Sequence, residues 1–307
     1  MPTSRRYMFH GHAAPLGGRI VRIGEGKEAK TIKDGFIDLP GSALTVVGGR
    51  STAQITGGQI ANPIAQSAVR FQSATAFSEG LYDDLKGHFA ATLGEREHAT
   101  LTATTKVSAE VIGLEVGLAG EARMVIKRLR GGFTSRSASS NAETPVQLDP
   151  DTKFDGVTFI DKSGKTFTLV VEVEPSVFRD YDTFSALTGA ASESKFIAKF
   201  GHTLFLGEVG SGKTVPTAPT LIRTDGGAVQ GTIVRPLKWK GERYPDASID
   251  ERAKNSVKIP GLGTIFFGEI SVARQARRIT MVRGQLGSPM GGDFAAGDFQ
   301  DNGGWGL

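Results

Sequence analysis

The sequence predicts a mainly β protein: an antiparallel sandwich or barrel-like pair of sheets carrying one or two short helices. Three observations predict it. From Ala99 to Val111 the chain alternates. Ala99, Leu101, Ala103, Thr105, Val107, Ala109 and Val111 share one face, and Thr100, Thr102, Thr104, Lys106, Ser108 and Glu110 share the other. That is the two-residue period of an extended strand. Glycine supplies 41 of the 307 residues with no collagen-like repeat. In a chain rich in Val, Ile, Thr and Phe, dispersed glycine marks turns and bulges between short strands. Helical spacing is confined to two short stretches.

The elements follow in order. RIVRI at 19–23, GFIDL at 35–39 and ALTVV at 43–47 read as strands, with GG pairs at 17–18, 48–49 and 57–58 in the turns. Leu81, Leu85, Phe89 and Leu93 predict a helix over 79–93. The strand at 99–117 changes phase near Ile112 and Gly113, where Ile112, Leu114, Val116 and Leu118 become the apolar set. A β-bulge or bend at Gly113 would do this. The chain turns at Ala119–Gly120 and returns as 123–129. VTFID and TFTLVVEVE flank Lys162–Lys165 as a hairpin over 157–173. Pro175 opens a helix near 175–188, with Val177, Tyr181, Phe184 and Leu187 on one side and Gly189 as its stop. Later strands are expected at 203–206, 220–223, 229–234, 264–272 and 278–283.

This order divides the chain into a β-rich N-terminal region (1–130), a polar loop or linker (131–152), a β-rich C-terminal region (153–283) and an irregular, Gly-rich tail (284–307). Hydrophobic residues make up 39% and charged residues 22%, a globular balance, and no window reaches the ~18 apolar residues of a spanning helix. The N-terminus has no apolar core for a secretion signal, so the default compartment is the cytoplasm, with export by a dedicated system left open. Having no cysteine, the chain makes no disulfide, thiolate–metal or thiol chemistry. A net charge of +4 and a pI near 9.2 permit polyanion binding without demanding it.

Motifs with chemistry are few. GEVGSGKT at 207–214 satisfies the phosphate-loop pattern, and HTLFL precedes it as a strand would. Phosphate binding requires a helix to start at Lys213–Thr214, and Pro216 and Pro219 oppose one, so the segment reads as a hairpin turn and no nucleotide cofactor is expected. His10 and His12 would share a face of an extended segment. His88, His98 and His202 are scattered, and Glu95, Glu97 and His98 lack zinc-site spacing, so no metal is expected. Ser135, Ser137, Ser139 and Ser140 fall in the polar loop without a nucleophile elbow. No nucleotide-binding, zinc-hydrolase or RNA-recognition pattern extends beyond a few residues.

Two residue sets could bind something. Arg123, Lys127, Arg128 and Arg130, with Arg235, Lys238, Trp239 and Lys240, are candidate polyanion contacts, Trp239 stacking on a base while the charges follow phosphate. A third basic cluster is Arg274, Arg277, Arg278 and Arg283. Phe294, Phe299, Trp305 and Leu307 are candidate anchors of a docking tail, either on the chain's own domain or on another copy. The expected function is therefore non-catalytic: a β-rich building block of a homomeric assembly, or a module that binds another protein. Polyanion binding is the alternative, and an enzyme whose site assembles only in three dimensions is the third.

Overall fold

The structure, a computed structural model, describes residues 7–23, 32–57, 60–83, 101–140, 143–180, 182–191, 222–223, 229–251 and 254–305. The strands in chain order are β1 (Tyr7–Met8), β2 (Gly11–Ile23), β3 (Ile32–Asp38), β4 (Ser42–Ala43), β5 (Gly49–Thr56), β6 (Val69–Arg70), β7 (Ser73–Tyr82), β8 (Thr102–Val116), β9 (Arg123–Ala138), β10 (Val146–Leu148), β11 (Lys153–Ile160), β12 (Thr166–Val170), β13 (Ile222–Arg223), β14 (Val229–Thr232), β15 (Lys238–Lys240), β16 (Ser248–Ile249), β17 (Ser256–Ile259), β18 (Gly263–Val272), β19 (Arg277–Leu286), β20 (Met290–Asp301) and β21 (Gly304–Trp305). Helix α1 (Pro63–Ala68) lies between β5 and β6, and α2 (Ser176–Asp180) and α3 (Phe184–Ala191) follow β12. The protein is mainly β and antiparallel.

The strands form two large sheets. One has nine strands in the order β15-β12-β11-β9-β8-β7-β5, with β10 also beside β9 and β6 beside β8. The other has ten in the order β13-β14-β18-β19-β20-β2-β3, with β17 and β16 beside β18 and β4 beside β2. The sheets face each other through β8 and β9 on one side and β2 and β20 on the other. Phe133 meets Phe299 with ring centroids 5.7 Å apart, and a side chain added at Gly131 would collide with Met281 and Phe299. The core between them is apolar, with Val107, Val111, Leu114, Ile126, Leu129, Met281, Phe294 and Phe299 all buried. Strands β1 and β21, the two ends of the described chain, pair across one end of this sandwich.

Each sheet carries a transverse crease. Gly113 in β8 has φ +66° and Gly156 in β11 has φ +63°, and the ladders that join β8, β9 and β11 skip Gly113, Lys127 and Gly156 at one level. In the other sheet Gly268 (φ +61°) and Gly297 (φ +64°) lie on one line with Met281 and Pro15, again where the ladders skip. At the crease the inward positions are three residues apart rather than two, as in Val111 and Leu114, Ile126 and Leu129, or Phe267 and Ile270. This is the phase change expected at Gly113. A left-handed residue without a Cβ allows it, and the bend keeps strands of ten or more residues facing the core along their length. Pro15 fits within a central strand because at the crease its missing N–H is not needed.

Several expectations need correction. Residues 79–82 extend β7, pairing Glu79 with Lys106 and Tyr82 with Ala103, so no helix begins at 79. The rest of 84–93 lies outside the described residues, as does the expected strand at 203–206. The helix expected over 175–188 is two helices. Asp182 turns its carbonyl to the Val146 N–H, and Thr183 caps a new helix by accepting from Ala186 N–H at 3.2 Å. That helix runs past Gly189 to Ala191. The 131–152 segment is no linker, since β9 continues through Ala138 and β10 returns beside it. The regions on either side of 131–152 are not separate sheet systems, because β2 pairs with β20 and β9 with β11. The 284–307 tail is not irregular: β19 continues to Leu286, and β20 lies between β19 and β2 in the middle of a sheet. ALTVV at 43–47 forms only the short β4 and then a turn closed by Gly48 N–H to Thr45 O at 2.9 Å. Helix α1 is not among the expected elements, although Asn62 and Pro63 announce it. The Asn62 side-chain Oδ1 accepts from the Ile64 N–H, and Pro63 holds the first helical position.

Candidate functional site

Two features of the described structure stand out from a plain sandwich: a buried polar cluster at one end and an open sheet edge beside it.

The polar cluster sits beneath the β1–β21 pair. Asp301 is fully buried and Arg277 is 2% exposed. Asp301 accepts from the Ser135 hydroxyl and from Gly303 N–H at 2.9 Å, while the nearest Arg277 nitrogen stands 4.0 Å away. Arg277 instead donates Nη2 to the Thr144 and Arg274 carbonyls at 3.1 and 2.8 Å. Its Nε and Nη1, the Tyr7 hydroxyl and the Thr105 hydroxyl have no well-formed hydrogen bond. Trp305 Nε1 donates to Ser137 Oγ at 3.1 Å, and Thr144 Oγ1 donates to the same oxygen. Aromatic rings close the end, with Tyr7 4.9 Å from Phe9 and 5.3 Å from Trp305 between centroids. Burial pushes the Asp301 carboxyl above its usual range, because Ser135, Gly303 and the distant Arg277 do not offset the loss of water. Burial likewise lowers Arg277 and, with Asp301, raises Tyr7. Asp, Ser, Tyr and Arg together resemble catalytic equipment in kind. All four are buried, and the cluster forms a polar interior beneath β1 and β21.

The open edge is β5. Its partner on one side is β7, in the register Gly49 with Gly80 through Thr56 with Ser73. Gly57 N–H bonds to Gln72 O and Asp83 N–H to Thr102 O. In an antiparallel ladder these fix the alternation, so the odd residues of β5 face β7 and the backbone groups of Arg50, Thr52, Gln54 and Thr56 point outward. Among the described residues no strand pairs with them. The side chains of these four are exposed, whereas Ile55 is buried and Ala53 packs on the core. Glu79 of β7 neutralises Arg50, the one charge on β5. The turn that leads into β5 presents Val46 and Val47, 64% and 80% exposed, and Met8 and Leu81 are also exposed.

The other described edges are guarded. β15 is three residues long and reads Lys-Trp-Lys; β13 and β16 have two residues each. Lysine and brevity both oppose unwanted pairing. β3 is seven residues long and carries Lys33, Asp34 and Asp38, charges that oppose pairing along an edge, while α1 packs over its face at Gly35.

The sequence-predicted sites are placed as follows. On β9, Arg123 pairs with Glu115 at 2.6 Å, Arg128 with Glu110, and Arg130 lies 3.8 Å from both Asp149 and Asp151. Arg235 forms two hydrogen bonds to Glu174, and Lys238 approaches Glu172 at 4.0 Å. Lys127 and Lys240 have no carboxylate partner among the described residues. Trp239 is half-buried and its ring meets that of Phe159 edge-to-face, 5.8 Å between centroids, a packing role. In the third basic cluster, Arg278 pairs with Asp298, Arg283 with Glu269 and Arg274 approaches Glu143 at 3.7 Å. Phe294 and Phe299 are buried in the chain's own core and Trp305 packs on Tyr7, so these anchors dock on their own domain. Leu307, the 207–214 segment, His88, His98, His202, Glu95 and Glu97 lie outside the described residues. Ser135 and Ser137 are strand residues of the interior rather than loop residues.

Two grooves lie on the outer sheet faces. One, of 310 Å³, is lined by Phe77, Lys106, Glu110, Arg130 and Asp149 among others, and one of 240 Å³ by Glu269, Arg278, Thr280 and Arg283. Their arginines are matched to carboxylates, so neither gathers unpaired charge for a ligand. Among the described residues no three His, Asp or Glu side chains could hold a metal, and no helix is long and apolar enough to cross a membrane. No protein-family model, no curated protein and no solved structure matches the chain.

Proposed function

We propose that this protein is a non-catalytic building block that works by associating with protein, its own copies first. The observation that supports this most directly is the β5 edge. It is eight residues long, free of Pro and Lys, with outward backbone donors and acceptors and with Val46 and Val47 exposed at its start. Exposed edges of this kind pair with other chains unless they are blocked. The buried Asp301–Arg277 cluster offers no accessible chemistry, and the outer grooves hold compensated charges, which favours association over catalysis.

Polyanion binding is the weaker alternative, because its arginines are neutralised by near carboxylates. Any heparin or DNA binding is expected to be weak and to fall steeply with salt. Light scattering coupled to size exclusion, with negative-stain microscopy, tests the main reading. A mass above one chain of 32.5 kDa is expected. A particle that stays at one chain at its highest soluble concentration, and that retains no protein partner, would overturn it.

A further inference from the structure

Resting on the association reading, we propose that β5 pairs antiparallel with β5 of a second copy, about a two-fold axis through Ala53, and so joins two nine-stranded sheets into one. The register follows from the outward groups. Arg50, Thr52, Gln54 and Thr56 are the residues whose backbone points away from β7. Only a two-fold at Ala53 pairs all four with their counterparts: Arg50 with Thr56 and Thr52 with Gln54. Shifting the axis to Thr52 or Gln54 leaves one outward residue facing the chain beyond the strand.

The side chains suit this axis. Ala53 would face its own copy in a non-hydrogen-bonded pair, where the backbones come within about 4.5 Å, and Ala is small enough to allow it. Ser51 would face Ile55. The one charge, Arg50, already bonds Glu79, and the two copies of Arg50 would stand six residues apart, about 20 Å along the strand. No like charges meet. A second copy is favoured over a head-to-tail array because the edge at the far end of the same sheet, β15, carries Lys238 and Lys240 and has only three residues to offer.

Because the chain has no cysteine, single introduced thiols report the register cleanly. Ala53→Cys is expected to cross-link nearly completely under copper-catalysed air oxidation, since facing residues at that spacing fall in the disulfide range of about 4.4–6.8 Å between Cα atoms. Thr56→Cys, exposed on the same strand, is expected to stay uncross-linked. Thr52→Pro removes an outward N–H and leaves the ladder to β7 intact, so it is expected to reduce the mass from two chains to one with little change in melting temperature. If the wild type is larger than one chain while Ala53→Cys does not cross-link, or cross-links no better than Thr56→Cys, the β5 pairing is wrong and the association reading stands. A wild type of one chain overturns both. If Thr52→Pro fails to fold, the two cysteine variants still decide the matter.

Discussion

At one end of the sandwich, Val116, Ala122, Met124, Ile259 and Leu262 close the interior with side chains that need no partner. At the other, Asp301, Arg277, Ser135, Ser137, Thr105 and Thr144 do the same with groups that each require one. Both ends are equally dry, but their energetics differ. Apolar packing is non-directional and tolerates exchange of similar volumes, whereas a buried polar network is worth having only when its members are satisfied. Here it is incompletely satisfied, with Arg277 Nε and Nη1 lacking partners. The polar end is therefore held by geometry, through the β1–β21 pair and the Trp305 hydrogen bond to Ser137, more than by the strength of the ion pair.

That contrast can be broken at its strongest point. Arg277→Ala removes the cation and the donors to Thr144 and Arg274 while Asp301 remains, and should cost about 3–5 kcal/mol in chemical denaturation. Replacing both residues together, Arg277→Met with Asp301→Leu, should restore most of that loss. A single variant that costs under about 1 kcal/mol would mean that the two residues are not coupled.

The apolar end should respond to volume alone. Leu262→Ala should cost about 2–5 kcal/mol and Leu262→Met less than about 1.5 kcal/mol. Equal losses for the two substitutions would show that this end also depends on specific geometry.

The smallest effect sharpens the comparison through pH. Asp301 has a raised carboxyl pKa in the folded state, so between the ordinary carboxyl value and its own value the folded chain holds a proton that the unfolded chain has lost. Stability contributed by that proton is present in full below the unfolded pKa and is lost as pH rises through the folded pKa. Asp301→Asn should flatten this part of the pH–stability curve, as followed by thermal melts. An unchanged slope would mean that Asp301 is ionised throughout and paired more closely with Arg277 than 4.0 Å implies.

Legibility along the sequence followed the same divide. β8, Thr102–Val116, was readable within the expected 99–117, including its change of phase at Gly113, because its inner face is apolar and its outer face polar. The β11–β12 hairpin was readable because the Asp161 side chain organises its turn, accepting from Ser163 and Lys165 N–H at 2.8 and 2.9 Å. The second half of β9 was not. There the inward positions are Phe133, Ser135 and Ser137, and serine facing a buried carboxylate looks like serine in a loop. β20 was hidden in the same way, since its glycines and its crease at Gly297 interrupt the period that Phe294, Ala296, Phe299 and Asp301 would otherwise show. The helix predicted at 79–93 failed at its start because Leu81 lies in β7, where pairing with β8 overrides a local helical spacing.

The basic clusters illustrate a further limit. Arg123, Arg128 and Arg130 are close in sequence, and so look like a patch. Their neutralising carboxylates, Glu115, Glu110 and Asp149, come from β8 and from the turn after β10. Charge density along one strand says little about charge density on a sheet face.

By itself the amino-acid sequence determined the β class, the antiparallel hairpins and the bend at Gly113, because alternation, turn chemistry and a missing Cβ act over a few residues. Only the tertiary structure decided which strand became an edge, which arginines were neutralised and where Asp301 and Arg277 would meet. Those outcomes depend on strand order and on which faces meet, and they join residues as far apart in sequence as Ser135 and Asp301, whose encounter no local pattern encodes.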